Sequence, residues 1–460
     1  MKAANKKKNI RLSTMQMLAA GFLGTIFLGG FLLWLPICNT KPISFLDALF
    51  TATTSVCVTG LVTVTPAVQF TMVGKVILLV LIQIGGLGVL ACTIAFFILI
   101  KKRITVQERV VIQQAYSLDT LSGMVKFVIR IIKGTFFVEG IGAVLFLFQF
   151  IPEFGVAKGI WYSVFHAVSA FCNAGIDILG ADSFTRYATN PLMNFTTISL
   201  IVVGGLGFIV WSDLKSVLGK VMKNKMPVRK IFHNLQLHTQ IVLVMTVLLI
   251  VGGTLLIFAL EFHNPDTMGE MTVGQKVMAS LFHSVSTRTA GFATVSQSGL
   301  HEGTKFITCM LMFIGGSPAG TAGGIKTTTV AMLLLTVLTS IRGGRDTECF
   351  GRKISPGNIR TGVTVIIIAF SFLIGGTLLV TIFEGDIDFM SILYETTSAV
   401  GTVGLTADLT PTLSDASRIV IMILMYVGRI GPVTMALVFG GKGNTRDKIR
   451  ELPERRILVG

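Results

Sequence analysis

From Leu12 to Thr40 the chain carries no charged residue, and from Val76 to Ile100 it again carries none. A helix of about 20 such residues crosses a hydrocarbon core roughly 30 Å thick, so these runs place the chain in lipid. There every backbone amide and carbonyl must find its partner inside the protein. Composition agrees, with 52% hydrophobic and 13% charged residues against the roughly one-quarter charged balance of soluble domains. The first run is too long for a signal-peptide core and has no small-residue cleavage site before Lys41, so it is expected to remain as the first helix.

A net charge of +16 would suit nucleic acid if it were spread over one surface. Instead, most Lys and Arg fall in five clusters, at 2–11, 101–133, 215–230, 342–360 and 442–456. Each follows an even number of expected spans, so all five lie on one face, which the positive-inside rule makes cytoplasmic. The excess therefore reports topology, and no nucleic-acid partner is expected. Glu261, Asp266, Glu270, Glu384, Asp386 and Asp388 fall in the intervening segments and are expected to form an acidic outer mouth that concentrates cations. The six cysteines, Cys38, Cys57, Cys92, Cys172, Cys309 and Cys349, show no C-x-x-C pairing and indicate neither a metal site nor a disulfide framework.

Outer helices are expected at 15–35, 127–150, 240–262 and 361–383, and inner helices at 72–100, 194–217, 306–341 and 417–439. Between each pair lies a stretch of mixed polarity, and the four stretches align. Each has an aromatic residue, a hydroxyl four places on (Thr54, Ser169, Ser286, Ser398), then a glycine followed by an apolar residue. The glycines Gly60, Gly175, Gly291 and Gly404 are spaced 115, 116 and 113 residues apart. A second landmark follows each: Ile84-Gly-Gly-Leu-Gly, Val203-Gly-Gly-Leu-Gly, Ile314-Gly-Gly-Ser-Pro and Val427-Gly-Arg-Ile-Gly. The units are repeats and, crossing twice each, they run parallel.

Irregular backbone at membrane depth is tolerated only where protein buries it or where it lines a water-filled cavity. Four equivalent loops thus imply one shared axis, with a short helix dipping in and the carbonyls around each glycine standing in for a cation's hydration shell. The pattern resembles the TrkH/Ktr/HKT superfamily of potassium transporters over essentially the whole chain, and is most similar to KtrB-type pore subunits. The resemblance implies an all-α integral membrane protein of eight transmembrane helices plus four re-entrant pore loops, in four parallel repeats around one pseudo-fourfold, potassium-channel-like pore. The repeats are expected at 14–105, 106–230, 231–345 and 346–441, flanked by cytoplasmic segments at 1–13 and 442–460.

By that resemblance the selectivity filter is Val58, Thr59 and Gly60; Asn173, Ala174 and Gly175; Thr289, Ala290 and Gly291; and Thr402, Val403 and Gly404, with potassium at the backbone carbonyls and sodium as a second candidate ion. Sodium-preferring members often carry serine at the first position, and Gly60 favours potassium. The four hydroxyls are read as holding pore helices against the filter. The third inner helix is interrupted by Gly315, Gly316, Ser317, Pro318, Ala319, Gly320, Gly323, Gly324 and Lys326, a density of Gly and Pro that breaks a helix. It reads either as a packing kink or as an intramembrane gate, and the resemblance favours the gate. Gly323 to Thr327 mimics the end of a phosphate loop, but Ile325 separates Gly324 from Lys326 and no strand precedes it.

Arg429 stands mid-helix, where a charge is costly; it is read as a barrier to cations bonded to the interrupting loop, or as a tie between helices. Glu139 is expected to pair with Arg130 or Lys133, and His166, His283 and Glu395, in one pore-helix column, to hydrogen-bond at the outer vestibule. The resemblance further implies a homodimer, membrane lipid, and a KtrA-like cytosolic ring binding nucleotide (ATP or ADP). Two alternatives stand beside gated conduction: obligatory sodium/potassium symport, and an intramembrane hydrolase with Ser317 as nucleophile. The second lacks a histidine on the inner helices to serve as base.

Overall fold

Long apolar helices alternate with short buried ones in the computed structural model, which describes residues 14–89, 91–94, 123–180, 182–224, 227, 231–431 and 434–435. The expected segments 1–13 and 442–460, most of the 101–133 cluster, and the ends of the first and fourth inner helices lie outside the described residues. The first repeat contains α1 (Thr14–Trp34), α2 (Phe45–Cys57) and α3 (Met72–Leu87); the second, α4 (Met124–Phe154), α5 (Val156–Cys172), α6 (Pro191–Gly205) and α7 (Phe208–Asn224). The third contains α8 (Leu237–Glu261), α9 (Val273–Ser286), α10 (Glu302–Phe313) and α11 (Thr327–Ile341); the fourth, α12 (Pro356–Phe383), α13 (Phe389–Gly401) and α14 (Asp415–Ile430). A two-residue antiparallel pair, Glu348–Cys349 with Arg352–Lys353, joins the last two repeats.

By length and composition α1, α4, α8 and α12 can each cross a membrane, and the bent pair α6 and α7 makes a fifth candidate span. Their exposed faces are apolar: Phe27, Leu28 and Phe31 on α1, Val247, Leu248 and Leu255 on α8, Ile367, Phe370 and Ile382 on α12. A contiguous apolar exterior of this kind suits lipid rather than water. The short helices α2, α5, α9 and α13 are the opposite case, with their last turn buried all round. Side-chain oxygens start three of them: Ser44 accepts from the Asp47 amide at 3.0 Å, Asp388 from that of Ser391 at 3.0 Å, and Thr272 forms a capping box with Gln275.

The inner helices depart from the expected continuous spans. All of them stop at the second landmark, not only the third. α3 ends at Gly88, α14 at Gly431 and α6 just before Gly207, with φ of 85°, 95° and 92°, a backbone that glycine adopts without the Cβ penalty. Between α6 and α7 the axis turns by 95°. The landmark's earlier glycine explains its placing: a Cβ on Gly85, Gly204 or Gly428 would run into the carbonyl of Val56, Phe171 or Val400, near the end of a pore helix. In the third repeat the break lengthens into the segment between Phe313 and Thr327.

The repeats close into a circle. α3 packs on α5, α6 on α9, α10 on α13, and α14 returns to α2, so each inner helix supports the next repeat's pore helix. At the closure Arg418 bridges to Asp47 at 3.0 Å, and the Tyr426 hydroxyl donates to the Ala19 carbonyl at 2.8 Å.

Candidate functional site

Three pore helices end alike. Val58, Asn173 and Thr402 take left-handed conformations, φ 54°, 59° and 52°, which turn the chain back. The next amides, of Thr59, Ala174 and Val403, donate to the Thr54, Ser169 and Ser398 carbonyls at 2.9, 2.8 and 2.8 Å. In the third repeat, one residue shorter, Thr289 carries the positive φ of 75°, and the Ala290 amide donates to the Ser286 carbonyl at 2.9 Å. Non-glycine residues in this region store about 1–3 kcal/mol each, sustained by surrounding structure.

The hydroxyls of the repeated motif supply part of that support. Thr54 Oγ1 and Ser398 Oγ accept from the amides of Gly60 and Gly404, each at 2.9 Å. Ser169 Oγ donates to the Ile176 carbonyl at 2.6 Å, and Ser286 Oγ to that of Phe292 at 2.5 Å. Each therefore ties its pore helix to the glycine or to the residue that follows.

The four glycines meet in a closed ring. A Cβ on Gly60 would lie 2.7 Å from the Ala174 carbonyl oxygen, one on Gly175 2.6 Å from that of Ala290, and one on Gly291 2.6 Å from that of Val403; on Gly404 it would strike the Thr59 carbonyl. Each repeat thus presses the carbonyl before its glycine against the preceding repeat's glycine, and the order runs once round the molecule. All four glycines line one cavity of about 280 Å³. Next to these glycines in the chain, the Thr59, Thr289 and Thr402 hydroxyls and the Asn173 amide are buried without a hydrogen-bond partner among the described residues. Such an oxygen-rich ring, with polar atoms left unpaired by protein, fits a hard monovalent cation.

The same cavity is rimmed by Asp177, Asp182 and Asp408, not by the acids expected from the sequence. Glu261 instead accepts from Asn264, Thr267, Thr304 and the His301 amide, Glu384 accepts from the Ser414 amide at 2.7 Å, and Asp388 caps α13. The available signal was position: Asp177 and Asp408 follow Gly175 and Gly404 within four residues. Burial pushes the Asp177 carboxyl up to about 6, against the Leu179 and Gly180 amides that donate to it at 3.1 and 3.4 Å.

Beneath the ring lies the segment from Gly315 to Lys326. The Ser317 and Thr321 amides donate to the Gly205 and Gly204 carbonyls at 3.0 and 3.3 Å, and the Phe208 amide donates to Ala319 at 2.8 Å, so the loop fills the carbonyls and amide freed where α6 breaks. Gly207 passes against Pro318, Gly320 against the Gly204 carbonyl, and Gly323 and Gly324 against Thr402 and Gly401 of the fourth repeat. Gly315 and Gly316 pack on Gly323 and Ala322 of the same loop. Lys326 Nζ donates to the Ala322 and Gly323 carbonyls at 2.8 and 3.2 Å. Ser317 shares its hydroxyl with Thr327 at 3.2 Å. Arg429 donates to Thr321 of this loop and to the Gly85 carbonyl of α3, spanning three repeats with one side chain.

Two further expectations are corrected. Glu139 pairs with neither Arg130 nor Lys133; it is buried and accepts weakly from Cys172 Sγ at 3.9 Å, while the two basic side chains are exposed. α4 is continuous through this stretch, and residues six and nine apart do not share a helix face. His166 and His283 bond away from the vestibule, to the Tyr162 carbonyl at 2.7 Å and Thr308 at 3.1 Å. Only Glu395 of that column reaches the outer segment, accepting from Thr406, Thr410 and the Ala407 amide. Among the described residues no His, Cys, Asp and Glu group forms a metal cluster.

Comparison with known proteins bears on this geometry. The model of the TrkH cation transport protein family matches residues 3–445. The chain is 39% identical to the potassium/sodium uptake protein NtpJ of Enterococcus hirae, covering 100% of both chains. It is 38% identical to the Ktr system potassium uptake protein B of Bacillus subtilis, covering 98% of each. The crystal structure of the potassium transporter TrkH from Vibrio parahaemolyticus superposes with a TM-score of 0.74 at 14% identity, over 96% of this chain and 87% of that one, which is a likeness of fold.

Proposed function

Because the chain belongs to the TrkH family of cation transport proteins, we propose that it carries potassium into the cell through the ring of Gly60, Gly175, Gly291 and Gly404. The observation that carries this reading is the closed glycine ring opening on a single acid-rimmed cavity. In it, backbone carbonyls around the four glycines replace the hydration shell, and the tight ring sets the spacing that selects the ion. Movement inward needs no chemical step: the membrane potential supplies about 2.3 kcal/mol per charge at 100 mV.

The rest of the reading is built on this. The chain crosses the membrane eight times with both termini cytoplasmic, and the segment from Gly315 to Gly324, latched by Arg429 and Lys326, closes the path below the filter. The loop's bonds to the second and fourth repeats, and its link through Arg429 to the first, support a gate that has to be released from several sides at once. Release is assigned to a cytosolic nucleotide-binding ring acting on a homodimer, in line with the word system in the names of the Ktr relatives. Sodium stimulates uptake without being obligatory.

Obligatory sodium/potassium symport is a second reading, favoured by the name of the Enterococcus relative, a potassium/sodium uptake protein. Rubidium uptake into vesicles reconstituted with this chain separates the two. Uptake that persists without sodium supports gated conduction, and strict abolition supports symport.

A further inference from the structure

A groove of about 730 Å³ runs between α4 and α7. One face of each helix builds it: Phe127, Ile131 and Gly134 recur at helical spacing on α4, Phe208 and Trp211 on α7. Gly134 leaves room for the indole, since a Cβ there would come within 3.2 Å of Trp211. Trp211 is held in place by donating to the Val203 carbonyl at 3.0 Å.

The lining is not apolar throughout. Arg130 and Lys133 enter from α4 and Lys215 from α7, with hydroxyls from Ser212 and Ser216 beside them. Among the described residues none of the three cations has an ion pair. Asp213, the one acid of α7, is buried elsewhere and accepts the Gln236 amide at 2.9 Å. An apolar floor with unpaired cations beside it matches a molecule that has a phosphate at one end and a hydrocarbon chain at the other.

We propose that this groove is a binding site for an anionic phospholipid of the cytoplasmic leaflet, its phosphate held by Arg130, Lys133 and Lys215 and an acyl chain laid along Phe127 and Trp211. Basic pockets between membrane helices on the cytoplasmic side recognise such headgroups. A soluble nucleotide would meet the same cations but would leave its base and ribose against Phe and Ile side chains that offer no hydrogen bonds. The site also touches the loop below the filter: Phe208 forms its wall and donates its amide to Ala319 at 2.8 Å. A bound lipid therefore braces α7 where the loop is anchored, a consequence that rests on the gate reading given above.

The test is native mass spectrometry of the full chain taken from nanodiscs of phosphatidylcholine mixed with phosphatidylglycerol. Wild type should retain phosphatidylglycerol preferentially, and Lys133→Glu with Lys215→Glu should lower that retention roughly tenfold or more. Both side chains are exposed, and an unchanged thermal melt shows that the variant is folded. Equal retention of the two lipids, full retention by the variant, displacement of the lipid by ATP, or cross-linking of a second copy through Lys215→Cys would each overturn the proposal. The lipid count is readable whether or not the chain conducts. Rubidium flux, compared between liposomes with and without phosphatidylglycerol, reads the coupling: a lipid-dependent flux lost in the variant supports it, and a lipid-independent flux removes it.

Discussion

At the scale of residues, the proposed filter is held by short polar contacts that a single substitution can remove. Thr54→Ala or Ser398→Ala would leave the Gly60 or Gly404 amide without its acceptor, a loss of about 1 kcal/mol at a place where spacing decides selection. Each variant should lower the potassium-over-sodium permeability ratio in liposome flux while keeping its expression. A ratio equal to wild type would show that the hydroxyls only pack. Asp177 gives a pH prediction: with its carboxyl pushed up to about 6, it is charged at neutral pH and becomes neutral as external pH falls through that value. Uptake at limiting potassium should then drop about threefold as the local cation attraction weakens. Asp177→Asn should start lower and lose that part of the pH profile. An identical profile in the variant would assign the titration elsewhere.

Among the elements, the decisive ones are the breaks in the inner helices. Gly207 combines φ of 92° with a Pro318 carbonyl 2.5 Å from where a Cβ would stand. Gly207→Ala should therefore cost about 1–3 kcal/mol and displace the loop anchored there, with a lower melting temperature and raised rubidium leak as the readouts. Arg429→Ala removes the latch between Thr321 and Gly85 and should likewise raise flux; unchanged flux in both would count against the gate. The landmarks were legible in the sequence as repeats, yet their consequence was not. Glycines inside a long apolar run read as helix, and the pore-helix carbonyl that packs on Gly85, Gly204 or Gly428 comes from another segment, which the run itself does not reveal. For the same reason the 95° turn into α7 could not be foreseen, nor could the partner of Glu139, which comes from the pore helix and not from its basic neighbours. By contrast the glycine register was fully legible, because spacing is a property of the chain itself.

The whole molecule is a cycle of four unlike members, each inner helix supporting the next pore helix. The contact between last and first repeats matters most for closure, since no chain connection enforces it. Arg418→Ala would leave Asp47 without its ion-pair partner, at 17% side-chain exposure on both sides, and should cost about 1–2 kcal/mol, seen as a lower melting temperature in detergent. A melt unchanged by the substitution would mean that packing alone closes the cycle. The cycle also fixes where the central claim is most exposed to test, because the ring brings every repeat to one point. That test is the potassium-over-sodium permeability ratio of the reconstituted chain, compared with Gly60→Ser, Gly175→Ser, Gly291→Ser and Gly404→Ser. Each Cβ meets the next repeat's carbonyl, so each variant should lose selectivity by about tenfold, equivalent to about 1.4 kcal/mol. Wild-type selectivity in all four would contradict the assignment of the ring as the filter.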